Sequence, residues 1–256
     1  MQEKLTMQAG HFCWVDISTS DLEAAKKFYT EIFGWTFQTH DTSEMPYTTI
    51  FKDGKPVAGM ASLREEAKAM GVPPHWMCYV NTKDCADTVA KAREAGGNIL
   101  MDTMPITDHG AMAIFQDPEG AVIAVWQAGP DLEEIHRNFP GAPCWDEKGS
   151  HDKAESLVFY EKVFGWTNET SNATGTEYTV FKKDGKEVGG CYIMPDFLKD
   201  MPSHWMTYFT TDNIEGLVEK AKELGGEVPM EIMQAEGVGK FCVVKDPQGA
   251  AFGVLG

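Results

Sequence analysis

Two short constellations in this chain carry side chains that can do chemistry, and each occurs twice. Trp14 and Asp16 stand two residues apart, and Trp145 and Glu147 repeat that spacing further on. In a β-strand, residues two apart share a face. An indole beside a carboxylate suits an amphipathic ligand: the ring stacks, and the carboxylate accepts from an amine or hydroxyl. The second constellation is His75, Met77 and Tyr79, matched by His204, Met206 and Tyr208. A neutral imidazole near pH 7 can act as acid or base, or orient a ligand. Plainer readings stand beside these. The tryptophans can fill the interior or face outward, with the acids at a solvated rim. A histidine at a strand entrance after proline or serine is commonly satisfied by its surroundings. His11, His40, His109, His136 and His151 have no counterpart in the other half, and no role is assigned to them.

The elements that must position these residues are themselves duplicated. Phe28-Tyr29 and Phe33-Gly34-Trp35 return 131 positions later as Phe159-Tyr160 and Phe164-Gly165-Trp166. Gly96-Gly97 returns as Gly225-Gly226, and Asp117-Pro118-Glu119-Gly120 as Asp246-Pro247-Gln248-Gly249. A repeat this long is a duplicated domain, not an array of short units. Each copy opens with an apolar strand, His11 to Ile17 in the first. A helix follows, with Ser20 and Glu23 forming a capping-box signature and Gly34 placed as its left-handed stop. Strands are expected at 35–39, 47–51 and 56–63, the last two joined by a hairpin turn at Lys52-Asp53-Gly54-Lys55. The order then restarts: strand 75–80, helix 84–95, and strands 99–101, 111–116 and 121–127. The reading is α+β, with β-α-β-β-β modules twice per copy and four times per chain. One helix per module implies mixed sheets with helices on one outer face and a concave inner face where ligands bind. The expected units are 10–128 and 142–256. A linker at 129–141 holds a short acidic helical stretch, Asp131 to Arg137.

Composition sets limits. At 256 residues the chain is long enough for two compact cores. A formal net charge of −17 argues against nucleic acid or an anionic membrane as partner. The opening residues, Met1 to Gly10, lack a secretory apolar core, and no apolar run reaches the ~18–20 residues of a membrane span. The six cysteines form no C-x-x-C pair and read as reduced thiols of a cytoplasmic protein. Fourteen methionines add flexible thioethers, which suit a core or an adaptable apolar pocket.

These motifs, in order and in duplicate, resemble the vicinal oxygen chelate superfamily of glyoxalase I, extradiol dioxygenases, and fosfomycin and bleomycin resistance proteins. The resemblance implies two glyoxalase-like domains whose sheets curl around a cavity, fused as an internal pseudo-dimer in a monomer. It also implies inward-pointing His and Glu ligands holding one divalent metal that acts as a Lewis acid. The positions matching those ligands are Trp14, Met77 (to within one or two residues), Ala124 and the stretch Val57 to Met60. In the second copy they are Trp145, Met206, Gly253 and Val188 to Cys191. Indole, methyl and hydrogen bind no such cation, and a thioether prefers Cu(I). The expectation is therefore no metal and no other cofactor. The chain is read as a metal-free binding protein that sequesters or carries a small aromatic or amphipathic compound, as bleomycin resistance proteins do. The alternatives are a lyase, isomerase or ring-cleaving oxygenase with an unorthodox or absent metal site, and an interaction protein with filled cavities. No catalytic residue is assigned.

Overall fold

The computed structural model describes residues 8–40, 46–106, 109–129, 135–171 and 177–256. The first half runs β1 (Phe12–Thr19), α1 (Leu22–Phe33), β2 (Thr36–His40), β3 (Tyr47–Lys52), β4 (Lys55–Ser62) and a single-turn α2 (Glu65–Ala69). It continues with β5 (His75–Asn81), α3 (Cys85–Glu94), β6 (Asn98–Ile106), β7 (Gly110–Gln116) and β8 (Val122–Ala128). The second half repeats it with β9 (Pro143–Ser150), α4 (Lys153–Phe164), β10 (Thr167–Ser171), β11 (Tyr178–Lys183) and β12 (Lys186–Ile193). Then follow β13 (His204–Thr210), α5 (Ile214–Glu223), β14 (Glu227–Ala235), β15 (Gly239–Lys245) and β16 (Ala251–Leu255). Four β-α-β-β-β modules are present, as the sequence implies.

Local chemistry accounts for most boundaries. Gly34 and Gly165 end α1 and α4 with the same left-handed geometry, φ 68° and ψ 31°. Asp53 (φ 51°) and Gly54 (φ 73°) make the two-residue turn of the β3–β4 hairpin. Two local expectations are corrected. Asp21, not Ser20, caps α1: it is extended, and its carboxylate accepts from the Ala24 amide at 3.0 Å. Aspartate caps as well as serine, and with Ala24 as the third helical residue there is no reciprocal box. Of the acidic stretch expected to be helical, Asp131 to Glu134 lie outside the described residues. Ile135 to Arg137 are irregular because Arg137 reaches Asp146 on β9 at 2.6 Å, with both side chains buried.

Each half forms one open eight-stranded mixed sheet, ordered β2-β3-β4-β1-β5-β8-β7-β6 and, in the second, β10-β11-β12-β9-β13-β16-β15-β14. β1 runs parallel to β4 and antiparallel to β5, so it is the seam between the modules of a half. Along β1, Val15 and Ile17 are fully buried towards the helices, while Trp14, Asp16 and Ser18 are half-buried on the other face. The helix-bearing faces of the two sheets meet in one shared core. Phe12 packs against Trp166 and Trp205 at 5.7 and 5.3 Å between centroids, and Trp35 and Trp76 pack against Phe209 at 5.4 and 4.9 Å. Polar groups cross the same seam. The Trp35 indole donates to the Gly141 carbonyl and Trp166 to Gly10, both at 2.7 Å. Tyr29 donates to Asp246 and Tyr160 to Asp117. Each sheet's helix-free face therefore points away from the other half.

The seam is asymmetric at Glu119. Glu119, in the β7–β8 turn, accepts from Lys148 Nζ, from the hydroxyls of Ser150, Ser156 and Ser203, and from the amides of His151 (2.7 Å) and Asp152 (2.6 Å). Lys148 is fully buried and also lies 3.3 Å from Asp117. The counterparts across the pseudo-twofold are Gln248, Ile17, Thr19, Ala25 and Pro74. Burial alone would raise the Glu119 carboxyl, but these donors hold it down at about 2.

Candidate functional site

The helix-free face of each half is floored by its central strands. Register places Trp14 opposite Tyr79 and Asp16 opposite Met77, with Gly59 of β4 beside Asp16 and Ala124 of β8 beside Tyr79. Cys13, Met77, Tyr79 and Ala124 form an apolar cluster separate from the main core. Trp14, Met112, Ile114, Val122 and Trp126 pack on it while staying half-open to solvent. Large apolar groups left part-exposed on the central strands mark this face as a candidate recess.

A polar chain crosses the floor. The Trp14 indole donates to the Tyr47 hydroxyl at 2.7 Å, and Tyr47 donates to Asp16 Oδ2 at 3.4 Å. Tyr79 donates to the same oxygen at 3.0 Å. The second half repeats it: Trp145 donates to Tyr178 at 2.8 Å, Tyr178 to Glu147 Oε1 at 2.8 Å, and Tyr208 to Glu147 Oε2 at 3.0 Å. Burial pushes the Asp16 carboxyl up to about 6 against the opposing pull of its two tyrosine donors, and burial raises Glu147 in the same way. Burial and the neighbouring carboxylates hold Tyr47 and Tyr79 well above the ordinary phenol range. They therefore act as donors and do not ionise near neutrality.

The structure thus brings Trp14, Asp16 and Tyr79 together, and likewise Trp145, Glu147 and Tyr208. Met77 and Met206 lie across from the carboxylates. His75 and His204 share that face but stand apart from the tyrosine network. Each donates through Nδ1 to a proline carbonyl two residues back, Pro73 or Pro202, at 2.9 Å. Tyr47 and Tyr178 were missed by sequence reasoning. Their one signal is that they repeat in register, 131 positions apart, each opening the strand before the hairpin. Gly59 and Gly190 are the complement: a Cβ on either would sit 1.8 Å from the tyrosine oxygen, so only glycine leaves room for it.

The donor set does not fit a divalent metal. The inward positions carry Trp14, Gly59, Met77 and Ala124 in one half and Trp145, Gly190, Met206 and Gly253 in the other. Among the described residues, no group of three or more His, Cys, Asp or Glu is placed to hold an ion. The one carboxylate in each recess is already engaged by tyrosines.

The model of the Glyoxalase/Bleomycin resistance protein/Dioxygenase superfamily matches residues 9–125 and again 150–254. A protein of Mycobacterium bovis named "Putative glyoxylase CFP32" is 37% identical over 248 residues, covering 94% of this chain and 93% of its own. The anthracycline biosynthesis protein DauV of Streptomyces sp. (strain C5) is 30% identical over 253 residues, covering 94% of this chain and 91% of its own. Among solved structures, the Mn(II)-bound glyoxalase of Novosphingobium aromaticivorans superposes with a TM-score of 0.63 at 12% identity, covering 96% of this chain and 82% of that one. At that identity the likeness concerns the fold alone. The family match across both halves and the whole-length relatives establish that this chain belongs to the Glyoxalase/Bleomycin resistance protein/Dioxygenase superfamily.

Proposed function

We propose that this chain is a metal-free small-molecule-binding protein that carries or sequesters an aromatic or amphipathic compound on the helix-free face of its sheets. The observation that carries the reading is the Trp-Tyr-carboxyl-Tyr chain, built the same way in both halves where a metal-binding relative would need donors. The half-open Trp14, Met112, Ile114 and Trp126 supply a flat apolar contact, and the carboxylate supplies an acceptor at its centre. Full-length relatives named as anthracycline biosynthesis proteins support an aromatic ligand class. On this reading units 10–128 and 142–256, joined by 129–141, work together as an internal pseudo-dimer, and the core the two halves share supports it. Six free thiols fit the reducing cytoplasm.

One observation favours a second reading. A carboxyl at about 6, hydrogen-bonded to two phenols, is poised to move a proton near neutral pH, as a metal-free lyase or isomerase requires. A thermal-shift screen with flat hydroxylated aromatics of two to four rings tests binding, with metal analysis of tag-free protein alongside. Binding raises the melting temperature through its preference for the folded state. No stabilising compound across the panel refutes the reading. So does near-stoichiometric Fe, Ni, Mn or Zn that a His75→Ala/His204→Ala double variant loses.

A further inference from the structure

The two recesses are not equivalent. In the second half both oxygens of Glu147 are taken, one by each tyrosine. In the first half both tyrosines converge on Asp16 Oδ2, and Oδ1 has no hydrogen-bond donor among the described residues. The space above the carboxylates differs as well. Ala61 of β4 is replaced in the second half by Tyr192, and Ser18 of β1 by Gly149. Three side chains close over Gly149: a Cβ there would meet His204 Cε1 at 2.9 Å, Tyr192 Oη at 3.1 Å and Met194 Sδ at 3.2 Å. The Tyr208 ring, in turn, lies within 2.3 Å of where a Gly253 Cβ would stand, a place that the Ala124 methyl takes in the first half. The first half keeps Ala61 and Ala124 at these places and adds Trp126 where the second has Leu255. The Trp126 indole N–H is buried with no acceptor among the described residues, whereas Trp14 and Trp145 both donate to tyrosines. An unmet buried donor is uncommon in a folded protein.

We infer that the first half alone takes a ligand, one per chain, and that the second recess is a copy closed by Tyr192, whose place Ala61 holds in the first half. The ligand is a flat, extended aromatic bearing a hydroxyl or amine. That group donates to Asp16 Oδ1, and the rings lie against Trp14, Ile114 and Trp126. This rests on the binding function proposed above and narrows it to one site.

Isothermal titration of the full chain with anthraflavic acid, a flat tricyclic quinone with a hydroxyl at each end, tests the assignment. The expected stoichiometry is one. Asp16→Asn keeps the shape but turns a charged acceptor into an amide, and weakens binding roughly tenfold or more. Ala61→Tyr, which copies the second half's filling, weakens it at least as much. Two molecules bound per chain overturns the assignment while leaving the binding function standing. So does an Asp16→Asn variant that binds as tightly as the wild type. Wild-type protein that binds neither this probe nor any aromatic of the panel overturns both.

Discussion

Glu119→Gln should unfold this protein far more easily than its surface position in a turn suggests. The substitution keeps the shape and removes the charge, leaving Lys148 fully buried with Asp117 at 3.3 Å as its remaining acidic partner. Stripping one member from a buried pair costs about 3–5 kcal/mol, and the residual Asp117 contact puts this case near 3. The titration of Glu119 reflects the same contacts: a carboxyl held at about 2 instead of 4.5 contributes roughly 2 kcal/mol once discounted for solvent access. Because its folded value is depressed, that stability is fully present above pH 4.5 and is lost as the pH falls towards 2. For a chain of this length, about 3 kcal/mol lowers the melting temperature by on the order of 10 °C. The chain also contains its own control. At the matching places across the pseudo-twofold the chain carries Gln248 and Ile17, so no lysine is buried there. Adding Lys148→Ile to Glu119→Gln should therefore recover all but about 1 kcal/mol, because a hydrophobic replacement of both partners is often neutral. Calorimetry and urea unfolding at pH 7, followed by two probes, measure both variants. A single variant within about 1 kcal/mol of wild type refutes the reasoning. So does a double variant no more stable than the single.

Three further outcomes follow from the recesses. Asp16→Asn should raise stability at pH 7 by roughly 2 kcal/mol, discounted for solvent access, with the gain vanishing below about pH 4. The sign follows from a folded value raised from 3.8 to about 6: between those values the folded state holds the extra proton, so wild-type stability falls as pH rises. Melting temperatures of both proteins across that range decide it. Gly59→Ala forces the Tyr47 hydroxyl from its place and should cost about 1–3 kcal/mol in urea unfolding, and Gly190→Ala should do the same through Tyr178. Tyr79→Phe should raise the Asp16 value further by removing its shorter hydrogen bond, which carboxyl-selective NMR titration reads directly.

Much of the fold was legible in the residues. The duplication, the module order and the left-handed stops at Gly34 and Gly165 depend on chain chemistry over a few positions, which holds wherever the segment sits. The Asp53-Gly54 turn is legible for the same reason. So were the alignments of Trp14 with Asp16 and of Met77 with Tyr79, since alternation along a strand follows from backbone geometry, whereas the β1–β5 register set both pairs on one face. Tertiary structure alone decided the partners of those residues. Tyr47 reaches Asp16 because β3 pairs with β4 and β4 with β1, and because Gly59 lacks a side chain. No local preference encodes a meeting across three strands. The Glu119–Lys148 anchor and the closure of the second recess by Tyr192 were equally invisible in the sequence. Each depends on contacts between segments 29 or more residues apart, brought together when buried area in the shared core outweighs the entropy of closing the intervening chain.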